Sequence, residues 1–552
     1  MNRKKGYIFL LLCTAALLLC SFTVSRQGNA GGNITSARTP VDPRKAGAIW
    51  TRSFAAADGR YTYNSDPVIC HSFLYIANNQ TLYELDKGTG TISRTMTLSA
   101  RTGAICHMLL EDSDLMIPLS GGKIECVDIR TMTSRWQSEA FGGQSLSTLF
   151  CEAGYLYAGT VVMTSGEDST GVFYCLSTTD GSTCWTYKDT ENPGGYYGSG
   201  AIAQAGRLYF TGDNGILVSH SLTDDTIYDT ISLTQNAKIR AGLIYDPDTD
   251  SLCTADTAGS VYRIPLGDDG SIKGETIRAS ATVPSAASVR CTSTPTIWNG
   301  RLYIGCIADG YGHLSVLDTE DLRLLYTVRG GQAAEIKSSP LVSTGYSSPE
   351  NNARVYVYVS ANNIPGGIYY LMDDSTSVSG SMQTLYVPTA AQQYCMSSII
   401  ADQEGTLYYS NDSNTLFAVS ETDTGKDRIT PSPSAPATAP SPSTGLPTAS
   451  PDPVKKPSSP VSKPKKPSRV KLKKKKKKVT VTWKKPTGKS QTVLYIKYGK
   501  GKWTKKILKT KKKYSVKRKK KTLYIRMRSR LRGNKKWIYS SYTKTYRIRP
   551  PR

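Results

Sequence analysis

Only four histidines occur in the 552 residues: His71, His107, His220 and His313. Two of them close an Ile-Cys-His triplet, at 69–71 and 105–107. Imidazole beside thiolate is soft-metal chemistry, so the repetition invites a zinc-like reading. Aligning each triplet with the apolar strand that follows removes it. His71 falls at the turn after a first strand and His107 at the start of one, so no shared metal site is expected. One isolated His per segment also gives no Ser-His-Asp order. Cys70, Cys106, Cys126, Cys151, Cys175, Cys184, Cys253, Cys291, Cys306 and Cys395 lie beyond the first twenty residues, mostly in apolar or small-residue contexts of buried thiols. No CxxC, CxxCH or adjacent Cys pair is present. Cys175 and Cys184 flank the turn 178–182 and are the one candidate disulfide. Asp213, Asp256 and Asp309 sit beside glycine, where turn formation is expected and a loop cation is the alternative. Gly194-Gly195 and Gly366-Gly367 read as tight turns, not phosphate cradles.

The strongest chemical signal is cationic. Lys473, Lys474, Lys475, Lys476, Lys477 and Lys478 form one tract. Lys511, Lys512, Lys513, Lys519, Lys520 and Lys521 belong to another. Residues 469–552 hold 35 Lys or Arg and no Asp or Glu, whereas residues 40–425 hold 23 basic and 41 acidic residues. The net charge of +27 is therefore an average over an acidic body and a very basic tail. Charges that cannot pair internally repel one another, and an anionic partner would offset that cost. Trp503, Tyr514 and Trp537 lie among the lysines, where they suit stacking on sugars or bases, or a domain core.

The N-terminus carries Arg3, Lys4 and Lys5 before an apolar run, and Gly28-Asn29-Ala30 supplies small residues for cleavage. Residues 1–30 are expected to be a signal peptide, with a retained anchor as the alternative. No later segment is long and apolar enough to span a bilayer. Residues 426–468 are rich in Pro, Ser, Thr and Ala and read as a stiff linker.

Between these ends the chain repeats. An apolar-Tyr motif recurs from residues 82, 124, 173, 218, 261, 314, 368 and 416, as in Leu82-Tyr83-Glu84-Leu85 and Ile368-Tyr369-Tyr370-Leu371. A small or polar pair, often with Pro, opens each unit, as in Ser293-Thr294-Pro295. Period-2 alternation and Asn-Gly or Asp-Gly turns predict hairpins. Small sheets that cannot bury both faces alone must stack, and radial stacking gives a β-propeller. Residues 40–425 resemble PQQ-like propeller repeats, and eight blades are expected, with seven as the alternative. The resemblance implies an outer-strand Trp per repeat. Trp136 and Trp185 keep it, Tyr326 stands in its place in the sixth unit, and the eighth unit lacks an outer strand. Ala48-Ile49-Trp50-Thr51 looks like that strand, and Trp50 is expected to close the ring. The quinoprotein enzymes of this family imply a calcium-binding carboxylate and amide cluster, a catalytic Asp, a floor Trp and, in several subfamilies, a vicinal disulfide. No adjacent Cys pair is present, and the floor Trp and the long embellishing loops of those enzymes cannot be located, so no cofactor is expected.

Alternating runs at 479–483, 492–498, 503–508, 523–528 and 539–548 predict a β-sandwich over 469–552. It resembles the Lys-rich fibronectin type III domains appended to exported proteins of Gram-positive bacteria, with Trp483 matching the core Trp. The combined expectation is an all-β, non-catalytic, secreted or cell-wall-associated binding protein. The propeller would take a protein or glycan, and the basic domain an anionic envelope polymer such as teichoic acid. Intracellular nucleic acid is not an expected partner. The alternative is an enzyme using the propeller funnel, either a divergent quinoprotein or a glycan-active enzyme.

Overall fold

The computed structural model describes residues 32–54, 64–103, 106–146, 148–164, 168–197, 200–222, 224–331, 334–422, 467–475, 478–484, 491–498, 504–508, 513–532, 537–539 and 546–548. The expected signal peptide and nearly all of the linker lie outside these residues. The chain forms two compact units, divided between Ala437 and Thr438.

The first unit is built from antiparallel sheets that follow one another along the chain. The first comprises Val68–Cys70, Phe73–Asn78, Thr81–Asp86 and Ile92–Thr97. Seven more of this kind occur among the described residues, within 109–137, 150–187, 201–232, 244–281, 289–329, 341–386 and 400–421. Each recurring motif falls on the third strand of its sheet, which in most sheets is buried at nearly every position.

Apolar clusters join neighbouring sheets face to face. One cluster holds Leu82 with Leu110, a second holds Met116 with Leu156, and in a third Phe173 stacks on Phe210 at 3.9 Å. Further clusters link the fourth, fifth and sixth sheets, the sixth with the seventh, and the seventh with the eighth. The last cluster joins Ile400, Tyr408 and Leu416 of the eighth sheet to Ile69, Leu74 and Ile76 of the first. The stack is therefore a closed ring, a β-propeller.

Two strands precede the first repeat. β1 (Ile34–Thr35) runs parallel to 341–343 on the inner edge of the seventh sheet. β2 (Ala46–Ser53) is the outer strand of the eighth sheet, antiparallel to 415–421. Trp50 on β2 is 4 % exposed, and its Nε1 donates to the Lys87 carbonyl at 3.0 Å. Gly90, at φ +67, lies directly under the Trp50 ring, where any Cβ would collide with it. Trp136 repeats the device two sheets further round the ring: its Nε1 donates to the Thr178 carbonyl at 2.8 Å, and Gly181, at φ +73, lies under its ring. Trp185 departs from it and stacks on His220 at 4.0 Å.

Tyr326 sits on the outer strand of the sixth sheet, as expected. Its hydroxyl joins a buried knot around Asp373 of the seventh sheet. The Asp373 carboxylate accepts from Tyr326 (2.5 Å), Tyr303 (2.7 Å) and Arg301 Nη1 (3.1 Å).

The second unit packs two sheets around Val479, Val481, Trp483, Leu494, Ile496, Ile525 and Met527. One sheet joins 468–474, 478–484 and 513–517, and the other joins 504–508, 491–498 and 523–532 with two short strands. Two corrections follow. The strands at 468–474 and 513–517 run through lysine tracts in which no strand was expected, because exposed Lys occupies their outward positions. The single last strand expected at 539–548 is two short strands, Trp537–Tyr539 and Tyr546–Ile548, both paired with 523–532.

Among the described residues no helix is long and apolar enough to cross a membrane.

Candidate functional site

The propeller's chemistry gathers where the chain enters each innermost strand. Side chains there alternate like those of a strand, so positions two and four residues before the strand face the same way. Position minus two is Asp66, His107, Thr148, Thr294, Ser339 and Ser398 in six of the repeats. Position minus four is Asn64, Leu146, Tyr197, Arg240, Thr292, Lys337 and Met396 in seven. All of these residues line one central cavity of about 220 Å³, with Arg290, Glu335 and Asp412.

Many of the cavity's charges are paired around the ring. His107 Nδ1 lies 2.8 Å from Asp66 Oδ2. Glu335, 2 % exposed, accepts from Arg290 Nη2 at 2.7 Å and Thr292 Oγ1 at 3.0 Å, with Lys337 Nζ at 3.9 Å. Arg240 lies over the Tyr197 ring, 4.7 Å from its centroid, and donates to buried Asp213 at 3.0 Å. Asp213 also accepts from Ser169 Oγ at 2.7 Å. Asp213 sits in the 212–215 turn, as expected for it, and its carboxylate in addition bridges elements. Asp256 also forms a turn, accepting from the Ala258 and Ser260 amides.

Burial raises the Asp412 carboxyl above the usual range, only partly opposed by Lys337. Its folded pKa exceeds its unfolded one, so ionising it costs stability as pH rises through that range. Asp412→Asn is expected to raise the melting temperature at pH 7. The gain should vanish below about pH 4, where the unfolded carboxyl also keeps its proton. A gain that persists at pH 3 would count against this.

The histidines separate as their alignment implied. His71 is exposed in a turn at φ 55, whereas His107 lines the cavity. His220 is fully buried, with Nδ1 2.9 Å from the Ser221 carbonyl oxygen. Burial holds His313 below the ordinary imidazole range. Burial pushes the Cys106 thiol well up, so it stays protonated. Ser397 Oγ has its acceptors in the Ser398 carbonyl at 3.1 Å and Asp66 Oδ1 at 3.4 Å, which direct its proton away from a serine relay through the imidazole. Cys175 is buried and Cys184 exposed on adjacent strands, and their side chains interact with each other, unbonded in the structure.

In the second unit the two lysine tracts come together. Exposed Lys471 and Lys473 on one strand, Lys478 on the next and Lys513 and Lys517 on the third share a sheet. The residues alternating with them, Leu472, Val479, Tyr514 and Val516, fill the core, so the lysines cover the outer face. Lys475, Lys519, Lys520 and Lys521 are exposed beside this sheet. Lys519 Nζ lies 4.7 Å from the centre of the Tyr498 ring. Lys474 is on the first strand. Lys476, Lys477, Lys511, Lys512 and Trp503 lie outside the described residues.

This architecture is the PQQ-type β-propeller fold. Solved structures of similar fold include quinohemoprotein alcohol dehydrogenase ADHIIG from Pseudomonas putida HK5, with TM-score 0.54 and 11 % identity over 74 % of this chain and 80 % of that one. A second is quinohemoprotein alcohol dehydrogenase from Comamonas testosteroni, with TM-score 0.52, 11 % identity, and 71 % and 80 % of the chains covered. A third is a europium-containing methanol dehydrogenase, with TM-score 0.52, 9 % identity, and 72 % and 98 % covered. At these identities the likeness is one of fold. No family model matches the chain. No curated protein matches it.

The cavity does not fit a calcium-held quinone. Its carboxylates Asp66, Glu335 and Asp412 stand in different repeats, and the first two are engaged by His107 and by Arg290 with Lys337. No three His, Cys, Asp or Glu side chains converge among the described residues.

The cavity's carboxylates and cations were not singled out from the sequence. The signal lay in repeat phase: side-chain type differs from unit to unit, but the position does not.

Proposed function

We propose that this chain is an exported, non-catalytic binding protein of the cell envelope with two binding surfaces. The propeller cavity takes a polar, hydroxyl-rich group such as one glycan unit. The lysine face of the second unit holds an anionic envelope polymer of the teichoic acid type. The reading rests above all on the composition of the cavity ring. Hydroxyls of Thr148, Thr292, Thr294, Ser339 and Ser398 alternate with paired charges and one aromatic face, Tyr197. Sugars are recognised by such mixed donors and acceptors beside a ring. The protonated Cys106 and the diverted Ser397 hydroxyl supply no activated nucleophile. The resemblance of the second unit to Lys-rich fibronectin type III domains supports an envelope location.

Glycan-array binding by the intact chain, lost in Tyr197→Ala, tests the cavity. Absence of any glycan signal from the wild type would sink that part. For the second surface, a variant with Lys471, Lys473, Lys478, Lys513 and Lys517 all changed to Gln should bind purified cell wall at least about tenfold more weakly at low salt. Wild-type binding should fall steeply as salt rises, as counterion release demands. Salt-insensitive retention would refute the electrostatic role.

A second reading, an enzyme working in the funnel, draws on the Asp66–His107 pair, which orients one imidazole at the cavity. Turnover of a bound glycan that is abolished by His107→Gln would favour it.

A further inference from the structure

We propose that Cys291 and Cys306 form a structural disulfide across the two innermost strands of the sixth sheet, closed by exchange with a disulfide oxidant while that sheet forms. The proposal goes beyond the binding reading and is independent of what the cavity holds.

The register brings the two thiols together. Val289–Arg290 pairs antiparallel with Arg301–Ala308, Val289 opposite Ala308 and Arg290 opposite Ile307. One step further on, Cys291 stands opposite Cys306. The Asp309 amide donates to the Ser288 carbonyl at 3.0 Å, so these two residues make a hydrogen-bonded pair. Bonded pairs alternate along an antiparallel ladder with narrow, unbonded ones. Arg290 with Ile307 is therefore the next bonded pair, and Cys291 with Cys306 falls on a narrow one. Their backbone groups turn away from each other accordingly. The Cys291 amide donates to the Thr257 carbonyl at 3.2 Å, and the Cys306 carbonyl accepts from the Ile336 amide at 3.4 Å. A narrow pair sets its Cα atoms about 4.5 Å apart, within the range of about 4.4–6.8 Å that a disulfide spans.

The side chains also share a face. Cys291 and Cys306 are both fully buried, and both belong to the apolar cluster of the fourth to sixth sheets, with Leu302 and Ile304. Leu302, Ile304 and Cys306 are alternate residues of one strand, so they point the same way. Cys291 Sγ donates to the Gly305 carbonyl at 3.2 Å, which sets it against the peptide leading into Cys306. Both cysteines are thiols in the structure.

The exchange runs in two steps. One thiolate attacks the oxidant's S–S bond and releases the first thiol. The second thiolate then attacks the mixed disulfide and releases the other. Two S–H groups become one S–S bond, and the oxidant leaves as two thiols carrying both protons. A chain exported as proposed above folds among such oxidants. Burial sets the timing. It pushes the Cys306 thiol up to about 12 and the Cys291 thiol well above its usual range, so the finished fold offers no thiolate. The two cysteines are fifteen positions apart on one sheet, and they meet before the neighbouring sheets cover them. The bond also acts on the cavity. Cys291 lies between the cavity residues Arg290 and Thr292, where the inner strand is interrupted until Thr296. Linkage to Cys306 pins that stretch of wall to the second strand.

The test unfolds the full chain in reductant and refolds it with the glutathione redox couple or with reductant alone. Free thiols are alkylated in denaturant before peptide mass mapping. With the couple, the link between Cys291 and Cys306 should be the predominant disulfide. It should raise the melting temperature by at least about 3 °C over the reduced chain. Alkylation of both cysteines, or a predominant link between Cys175 and Cys184, overturns the proposal. A link that leaves the melting temperature unchanged overturns its structural role. Reduced chain that is folded first and then given the couple should form the link at least tenfold more slowly. Equal rates would overturn closure ahead of burial.

Discussion

Removing residues 40–55 should unfold the propeller cooperatively and turn the protein into soluble oligomers or aggregate. The deletion takes away β2, the partner of 415–421 along seven register pairs from Ala46 opposite Glu421 to Ser53 opposite Thr415. Its loss uncovers an apolar edge strand, Thr415–Glu421, whose amides and carbonyls then seek another chain. It also removes Trp50, which lies in the only apolar cluster joining the eighth sheet to the first among the described residues. Trp50→Ala isolates that second contribution. A buried Trp exchanged for Ala costs about 3–5 kcal/mol, and here the Lys87 carbonyl also loses the nearer of its two donors, keeping only the Tyr408 hydroxyl at 3.4 Å. Thermal melts with light scattering distinguish the outcomes. A deletion variant that stays monomeric with an unchanged melting temperature would show that closure lies elsewhere.

The second large effect is expected at Asp373. Its carboxylate is 1 % exposed and holds two tyrosine hydroxyls and the Arg301 guanidinium across the join between the sixth and seventh sheets. Asp373→Ala leaves the Arg301 side chain, itself 7 % exposed, without its counter-charge. Breaking a buried pair from one side costs about 3–5 kcal/mol, more than the net worth of the intact pair, because the stranded charge stays desolvated. Urea unfolding should show a matching loss. Asp373→Ala combined with Arg301→Met should recover part of it, since no buried charge then remains. A double variant no better than the single one would argue that the tyrosine hydroxyls, not the guanidinium, dominate the knot.

The repeat phase was legible because the third strand of most sheets lies between two neighbours and is buried along nearly its whole length, which forces apolar or aromatic side chains at most of its positions. First strands are only two to four residues long in most sheets, too short to show a period, and they were placed by their flanking small residues. The place of Trp50 could be argued because a strand was missing at one end of the repeat series and spare at the other. The path of residues 32–45 was not legible. β1 has two residues, paired with Val342 and Ser343, and Asn33 just before it bonds Thr296 and Ile399; all of these lie more than 260 positions away, a pairing no local pattern encodes. The lysine strands were hidden for a different reason. Where the outward face is solvated mainly by Lys, the alternation survives only in the inward residues Leu472, Tyr514 and Val516. The cavity ring was hidden because binding positions differ in side chain precisely where the scaffold repeats.

The Trp50–Gly90 and Trp136–Gly181 contacts share one geometry: the outer strand of one sheet docks into a turn of the next. Such a contact is heterologous, with two unlike surfaces meeting head to tail. Repeated heterologous contacts have two fates, a closed ring or an unending filament. Within this single chain, β2 is what selects the ring. The same docking surfaces on separate molecules would propagate, so any lesion that frees β2 converts an intramolecular clasp into a polymerisation site, much as opening one link turns a bracelet into a chain.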